Sequence, residues 1–136
     1  MSLNLKERQG LESMMNSLVR RAQKLLDRKG MERSGLEKSQ LNNLLSVALE
    51  TTSVEVVKNF ILYQVGRDDK RRSWRYQDFG QELVREIDRL RNDIAKQVAV
   101  RALNRPSERE IDKIWIHVVR QYLGQLHRYF YYLKGK

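Results

Sequence analysis

Between Arg67 and Tyr76 the chain reads RDDKRRSWRY, five basic residues and two aromatics in ten positions. Lys and Arg neutralise phosphate, the guanidinium fork meets two phosphate oxygens at once, and Trp74 and Tyr76 carry flat faces on which an unpaired base can stack. The same stretch also fits a solvated loop whose aromatics anchor the next helix. A second basic row lies near the C-terminus. Helical spacings of four, three, four, four and three put Lys113, His117, Arg120, Gly124, Arg128 and Tyr131 on one side, without an acid among them. A mixed-sign face is the norm for solvated helices, so this row reads as a surface that tracks a nucleic-acid backbone, or as cations that solubilise an aromatic helix. A third cluster, Arg20, Arg21, Lys24 and Arg28, is flanked by Asp27. If the chain holds RNA or another nucleic acid, the expected contacts rank as Arg67, Lys70, Arg71, Arg72 and Arg75, then Lys113, Arg120 and Arg128, then Arg20, Lys24 and Arg28.

The whole-chain balance points the same way. Twenty-seven Lys and Arg against 17 Asp and Glu leave a formal charge of +10 on 136 residues. A field of that sign speeds encounter with anionic partners without choosing among them. A membrane is the poorest fit, because no apolar run nears the roughly 18 residues of a spanning helix and the first residues lack a signal peptide's apolar core. A cytoplasmic location is expected. There are no cysteines, which removes disulfides, thiolate nucleophiles and the usual zinc frameworks.

Catalysis finds little support in the residues. His117 and His127 are the two histidines, and ten residues of straight helix do not bring them over one metal as an i, i+4 pair would. No glycine-rich phosphate loop, nucleophile elbow or zinc spacing occurs. No catalytic residue, metal or cofactor is assigned.

These side chains must be positioned by helices, since no window alternates with the period of two that marks a half-buried strand. Five helices are predicted in one compact bundle, a single all-α domain over residues 1–136. Leu11, Met14, Met15, Leu18, Ala22, Leu25 and Leu26 form the stripe of the first, which Gly30 stops. Ser34 with Glu37 is read as a capping box opening the second, with Leu41, Leu44, Leu45 and Ala48 buried. Thr52 with Glu55 is read as a box opening the third, which carries Val54, Val57, Phe60, Ile61 and Val65. The fourth runs from about Gln77 to Leu103 on the stripe Phe79, Leu83, Ile87, Leu90, Ile94, Val98 and Ala102, with Glu82, Arg85, Glu86, Arg89 and Asp93 as ordinary surface ion pairs. Pro106 breaks it. Ser107 with Glu110 caps the fifth, whose core side is Ile111, Ile114, Trp115, Val118, Tyr122, Leu126, Tyr129 and Leu133.

Three segments then carry a resemblance: Ser39-Gln40-Leu41 opening the second helix, Leu62-Tyr63-Gln64-Val65-Gly66-Arg67 closing the third, and the aromatic ending Leu126-His127-Arg128-Tyr129-Phe130-Tyr131-Tyr132. In that order they resemble the small helical subunit of type III CRISPR-associated effector complexes, in its Csm-type form. Where the family often has a basic residue after Ser-x-Leu, this chain has Asn42, and Asn59 and Phe60 stand where Pro and Lys are often found. A phosphate contact therefore transfers to Arg67 and not to Asn42. The resemblance implies a non-catalytic, all-helical protein that packs in several copies along a ribonucleoprotein beside other effector subunits. There it would line the channel that holds guide RNA and its paired target RNA, with cleavage left to other subunits. Distributed Lys and Arg suit backbone contacts to such a duplex.

Three other readings stay open. A helical adaptor would turn its basic rows to an acidic protein. A small metal-independent ribonuclease would use His117 or His127 with a nearby Arg or Tyr. A DNA-binding helix-turn-helix would use the second and third helices, although the turn Thr51 to Ser53 lacks a glycine and the third helix is strongly apolar.

Overall fold

The computed structural model describes residues 2–135, and all regular structure among them is helical. Seven α-helices follow one another: α1 (Leu5–Ser13), α2 (Met15–Arg28), α3 (Lys38–Glu50), α4 (Val54–Arg67), α5 (Phe79–Leu90), α6 (Lys96–Leu103) and α7 (Glu108–Lys134). Single 3-10 turns at Met31–Arg33 and Tyr76–Asp78 precede α3 and α5, and a π turn at Arg91–Ala95 joins α5 to α6. Six helical rods result, one more than the stripes indicated, because the first rod breaks at Met14 (φ −98°, ψ 0°).

The start of α1 was not legible from apolar spacing. Asn4 Oδ1 accepts the Glu7 N–H at 2.8 Å, and Glu7 Oε1 accepts the Asn4 N–H at 2.9 Å, a reciprocal cap. The expected box Ser107–Glu110 is present in the same form, at 3.1 and 2.9 Å. The other two boxes are corrected. Glu37 and Gln40 form the box that opens α3. Ser34 is buried instead and donates its hydroxyl to Met31 O at 2.6 Å. Ser53, one residue beyond Thr52, caps α4 by accepting the Val56 N–H at 3.3 Å. Gly30 ends the α2 segment as expected, at φ 61°, in the left-handed region that glycine enters without steric cost.

The π turn has a reason in the stripe. Phe79, Leu83, Ile87, Leu90, Ile94, Val98 and Ala102 are spaced mostly by four, wider than the roughly 3.6 residues of an α-helical turn, so a regular helix would rotate its apolar side away from the core. One wide turn takes up a residue and restores the phase. Ile94, Ala95, Val98 and Ala99 are buried as a result.

The last helix is the centre of the fold. It packs against α2, α3, the π turn and α6, and Ile116, Val119, Leu123 and Phe130 are buried in addition to the predicted side. Burying each such side chain contributes about 1.5–3 kcal/mol. Trp115 adds direction by donating Nε1–H to Ile87 O at 2.9 Å. Around this helix, α4 lies on α5 and α3, and α1 lies on α6. One contiguous set of buried apolar side chains runs from Leu3 to Leu133. No helix among the described residues is long and apolar enough to cross a membrane.

Candidate nucleic-acid interface

The segment from Asp68 to Arg75 is held in shape by one carboxylate. Asp68 accepts backbone N–H groups from Arg72 at 3.4 Å, Ser73 at 3.0 Å and Arg75 at 2.9 Å. Partial desolvation pushes the Asp68 carboxyl upward, but these backbone bonds outweigh it and hold the group below its ordinary range. Two further ties fix the loop. Gly35 N–H donates to Arg72 O at 2.5 Å, and a Cβ on Gly35 would stand 3.2 Å from both Arg72 Cβ and Arg72 O. Arg75 Nε donates to Val65 O at 2.8 Å, closing the end of α4.

Trp74 is the anchor of this loop and not a platform for bases. It is 1% exposed, its ring lies 6.1 Å from that of Phe79, and its carbonyl accepts the Gly80 N–H at 2.7 Å. Tyr76 is half-buried. The stacking expectation is thereby corrected for Trp74, whose large ring fills the gap between the loop and α5, while Tyr76 packs partly against the core. What the loop presents outward is charge. Arg67, Lys70, Arg71 and Arg72 are exposed, and no ion pair among the described residues includes any of them or Arg75. Arg67 lies 5.3 Å over the exposed ring of Tyr63.

The row on the last helix is taken apart by the fold. Lys113 Nζ sits 3.1 Å from Glu7 Oε1, and Glu7 is fully buried, so this lysine serves as counter-ion to a carboxylate inside the protein. Arg120 donates Nε–H to Ala48 O and an Nη2–H to Thr51 O, both at 2.8 Å, and so closes the C-terminus of α3. Each is thereby engaged within the fold. With both sides of α7 covered by neighbours, its cations are drawn to orphan carbonyls and a buried acid; Arg128 alone of the three remains exposed and outside every ion pair among the described residues.

On α2, Arg20 and Lys24 are exposed, whereas Arg28 meets Glu82 at 3.3 Å and Arg21 meets Glu86 at 2.9 Å and Asp93 at 3.1 Å. The acids of α5 are more than surface decoration. Glu86 is 7% exposed, and hydrogen bonding from Arg89 holds the Glu82 carboxyl down to about 2, with Arg85 adding to it against a desolvation that works the other way. The structure also brings forward cations that apolar spacing did not flag. Arg101, Arg105 and Arg109, around the turn from α6 to α7, are exposed and enter no ion pair among the described residues. Their spacing of four was visible in the sequence, but Pro106 drew attention to the break itself.

His117 lines a cleft of about 350 Å³ with Arg8, Glu12 and Gln121, while His127 packs edge-on to Tyr131 at 5.9 Å. Burial and the adjacent Arg128 hold the His127 imidazolium below its usual range. Among the described residues, no group of three or more His, Asp or Glu side chains is placed to hold a metal. Comparison with protein-family models, with curated proteins and with solved structures found no match.

Proposed function

We propose that this protein is a non-catalytic, RNA-binding structural subunit of a type III CRISPR-associated ribonucleoprotein, cytoplasmic, and bound to the backbone of guide and target RNA. The observation that carries the reading is the loop: Arg67, Lys70, Arg71 and Arg72 stand exposed, free of ion pairs among the described residues, on a backbone tied by Asp68, Gly35 and Arg75. Cations carried on a tied backbone lose less backbone entropy on meeting phosphate than cations on a floppy loop. The segments that resemble the small Csm-type subunit add the ribonucleoprotein context, with other effector subunits and further copies of the chain as neighbours. Arg67 to Arg75 remain the first contacts, Arg128, Arg20 and Lys24 follow, and Lys113 and Arg120 are withdrawn.

The test is an RNA titration at several salt concentrations on the wild type and on a variant with Lys70, Arg71 and Arg72 changed to Glu. Each lost phosphate contact flattens the salt slope by about one, so the variant binds more weakly and with a shallower slope while its helicity is unchanged. Equal affinity and slope in the two proteins would leave the loop without this role. The same loop, next to exposed Leu62 and Tyr63, also suits an acidic protein partner; that adaptor reading gains if the wild type retains a protein and no RNA.

A further inference from the structure

Four residues other than glycine among those described have a positive φ, and three of them line a single groove. Arg71 (φ 55°), Gln77 (φ 50°) and Asp78 (φ 60°) face it together with Arg75 and Gln81, in a volume of about 650 Å³ between the basic loop and the start of α5. Gly30 meets the same left-handed demand with no side chain at all. Here the chain carries long polar side chains instead. Backbone strain of this kind persists where the surroundings over-determine it, and it collects at binding sites.

The groove is rich in hydrogen-bond donors. Arg75 has its Nε engaged by Val65 O, which fixes the plane of the guanidinium and leaves its terminal nitrogens for another partner. Arg71 supplies a second fork, and the Gln77 and Gln81 carboxamides supply neutral N–H donors. Asp78, the one acid, is occupied by Arg85 at 2.8 Å. No aromatic ring lines the groove, so it offers nothing on which a base would stack. Charge from two guanidiniums with neutral donors beside them suits a tetrahedral oxyanion.

We infer that this groove seats one phosphodiester of the bound RNA strand, with Gln77 and Gln81 as contacts in addition to Arg71 and Arg75. The inference rests on the RNA-binding reading and adds residues that charge alone does not reveal.

It is tested by fluorescence anisotropy with a labelled mixed-sequence oligoribonucleotide, alone and annealed to its complement, alongside thermal melts. Gln81→Ala, on a regular helix, lowers affinity about tenfold, the value of one hydrogen bond to a charged group. Its salt slope stays that of the wild type, because an amide releases no counterion. Arg71→Gln lowers both affinity and slope. Gln77→Gly relieves the left-handed strain, so it melts at a higher temperature while binding more weakly. Wild-type affinity in both glutamine variants, with Arg71→Glu still impaired, overturns the groove and leaves the loop assignment standing. If Arg71→Glu combined with Lys70→Glu and Arg72→Glu also binds like the wild type, both fall. Loss of binding to a polyglutamate peptide in Gln81→Ala, with RNA binding intact, overturns the phosphodiester in favour of an acidic protein.

Discussion

Arg120→Ala separates the two roles that sequence spacing merged on the last helix. In the fold this guanidinium makes two 2.8 Å bonds to Ala48 O and Thr51 O, carbonyls at the end of α3 that have no partner within the helix. Bonds from a charged donor are worth about 1.5–3 kcal/mol each, so the pair is worth about 3–6 kcal/mol before relaxation. Thr51 is partly buried and its freed carbonyl regains water, whereas Ala48 is fully buried, which brings the expected loss to about 3 kcal/mol, or about 10 °C in Tm for a chain of this size. Urea titration followed by far-UV circular dichroism measures it, with an unchanged m-value showing that the denatured state is not at issue. Arg72→Ala is the companion: an exposed cation without an ion-pair partner among the described residues should change stability by less than about 0.5 kcal/mol. The reasoning is refuted if Arg120→Ala leaves stability within that same margin and instead flattens the salt dependence of RNA binding.

Two further outcomes follow from the charges inside the bundle. Lys113→Met leaves the fully buried Glu7 carboxylate without its counter-ion and should cost about 3 kcal/mol, whereas the double variant with Glu7→Gln should regain most of that loss, as read from urea midpoints. Glu82 has a folded-state carboxyl held down to about 2, below its unfolded value, so its contribution is fully present above the ordinary carboxylate range and disappears as pH falls toward 2. Replacing it with Gln should flatten the acid limb of a stability-against-pH profile; an unchanged limb would mean that Arg85 and Arg89 do not stabilise its charged form.

The helices were legible because their apolar residues recur at helical spacing, and the clearest cap, Ser107 with Glu110, was legible because both side chains point back at the first turn. The π turn was written in the same pattern, in a stripe spaced too widely for a regular α-helix, but a phase drift is easily read as a narrow seam. Charge was read less well than apolarity. Lys113 and Arg120 carry the same positive charge as Arg128, and only the positions of Glu7 and of the α3 terminus, remote in sequence, decide that two of the three are tied within the fold. Trp74 was open to either reading, since an aromatic among cations stacks on bases or plugs a core with equal chemical ease. The exposure of the loop cations was legible, because no acid among the described residues forms an ion pair with them. The left-handed backbone at Arg71 and Gln77 left no trace, as neither is of a type enriched there, whereas Asp78 belongs to a type that enters that region more readily.

The central claim is that the exposed loop holds RNA within a larger assembly, and recovery of the protein from its own cells under mild salt tests it most directly. Sequencing the RNA and identifying the proteins that accompany it should return repeat-derived guide RNA with larger effector subunits, and both should be lost when Lys70, Arg71 and Arg72 are replaced by Glu. Recovery of a single acidic protein with no RNA, equally well by the wild type and the variant, would contradict the account.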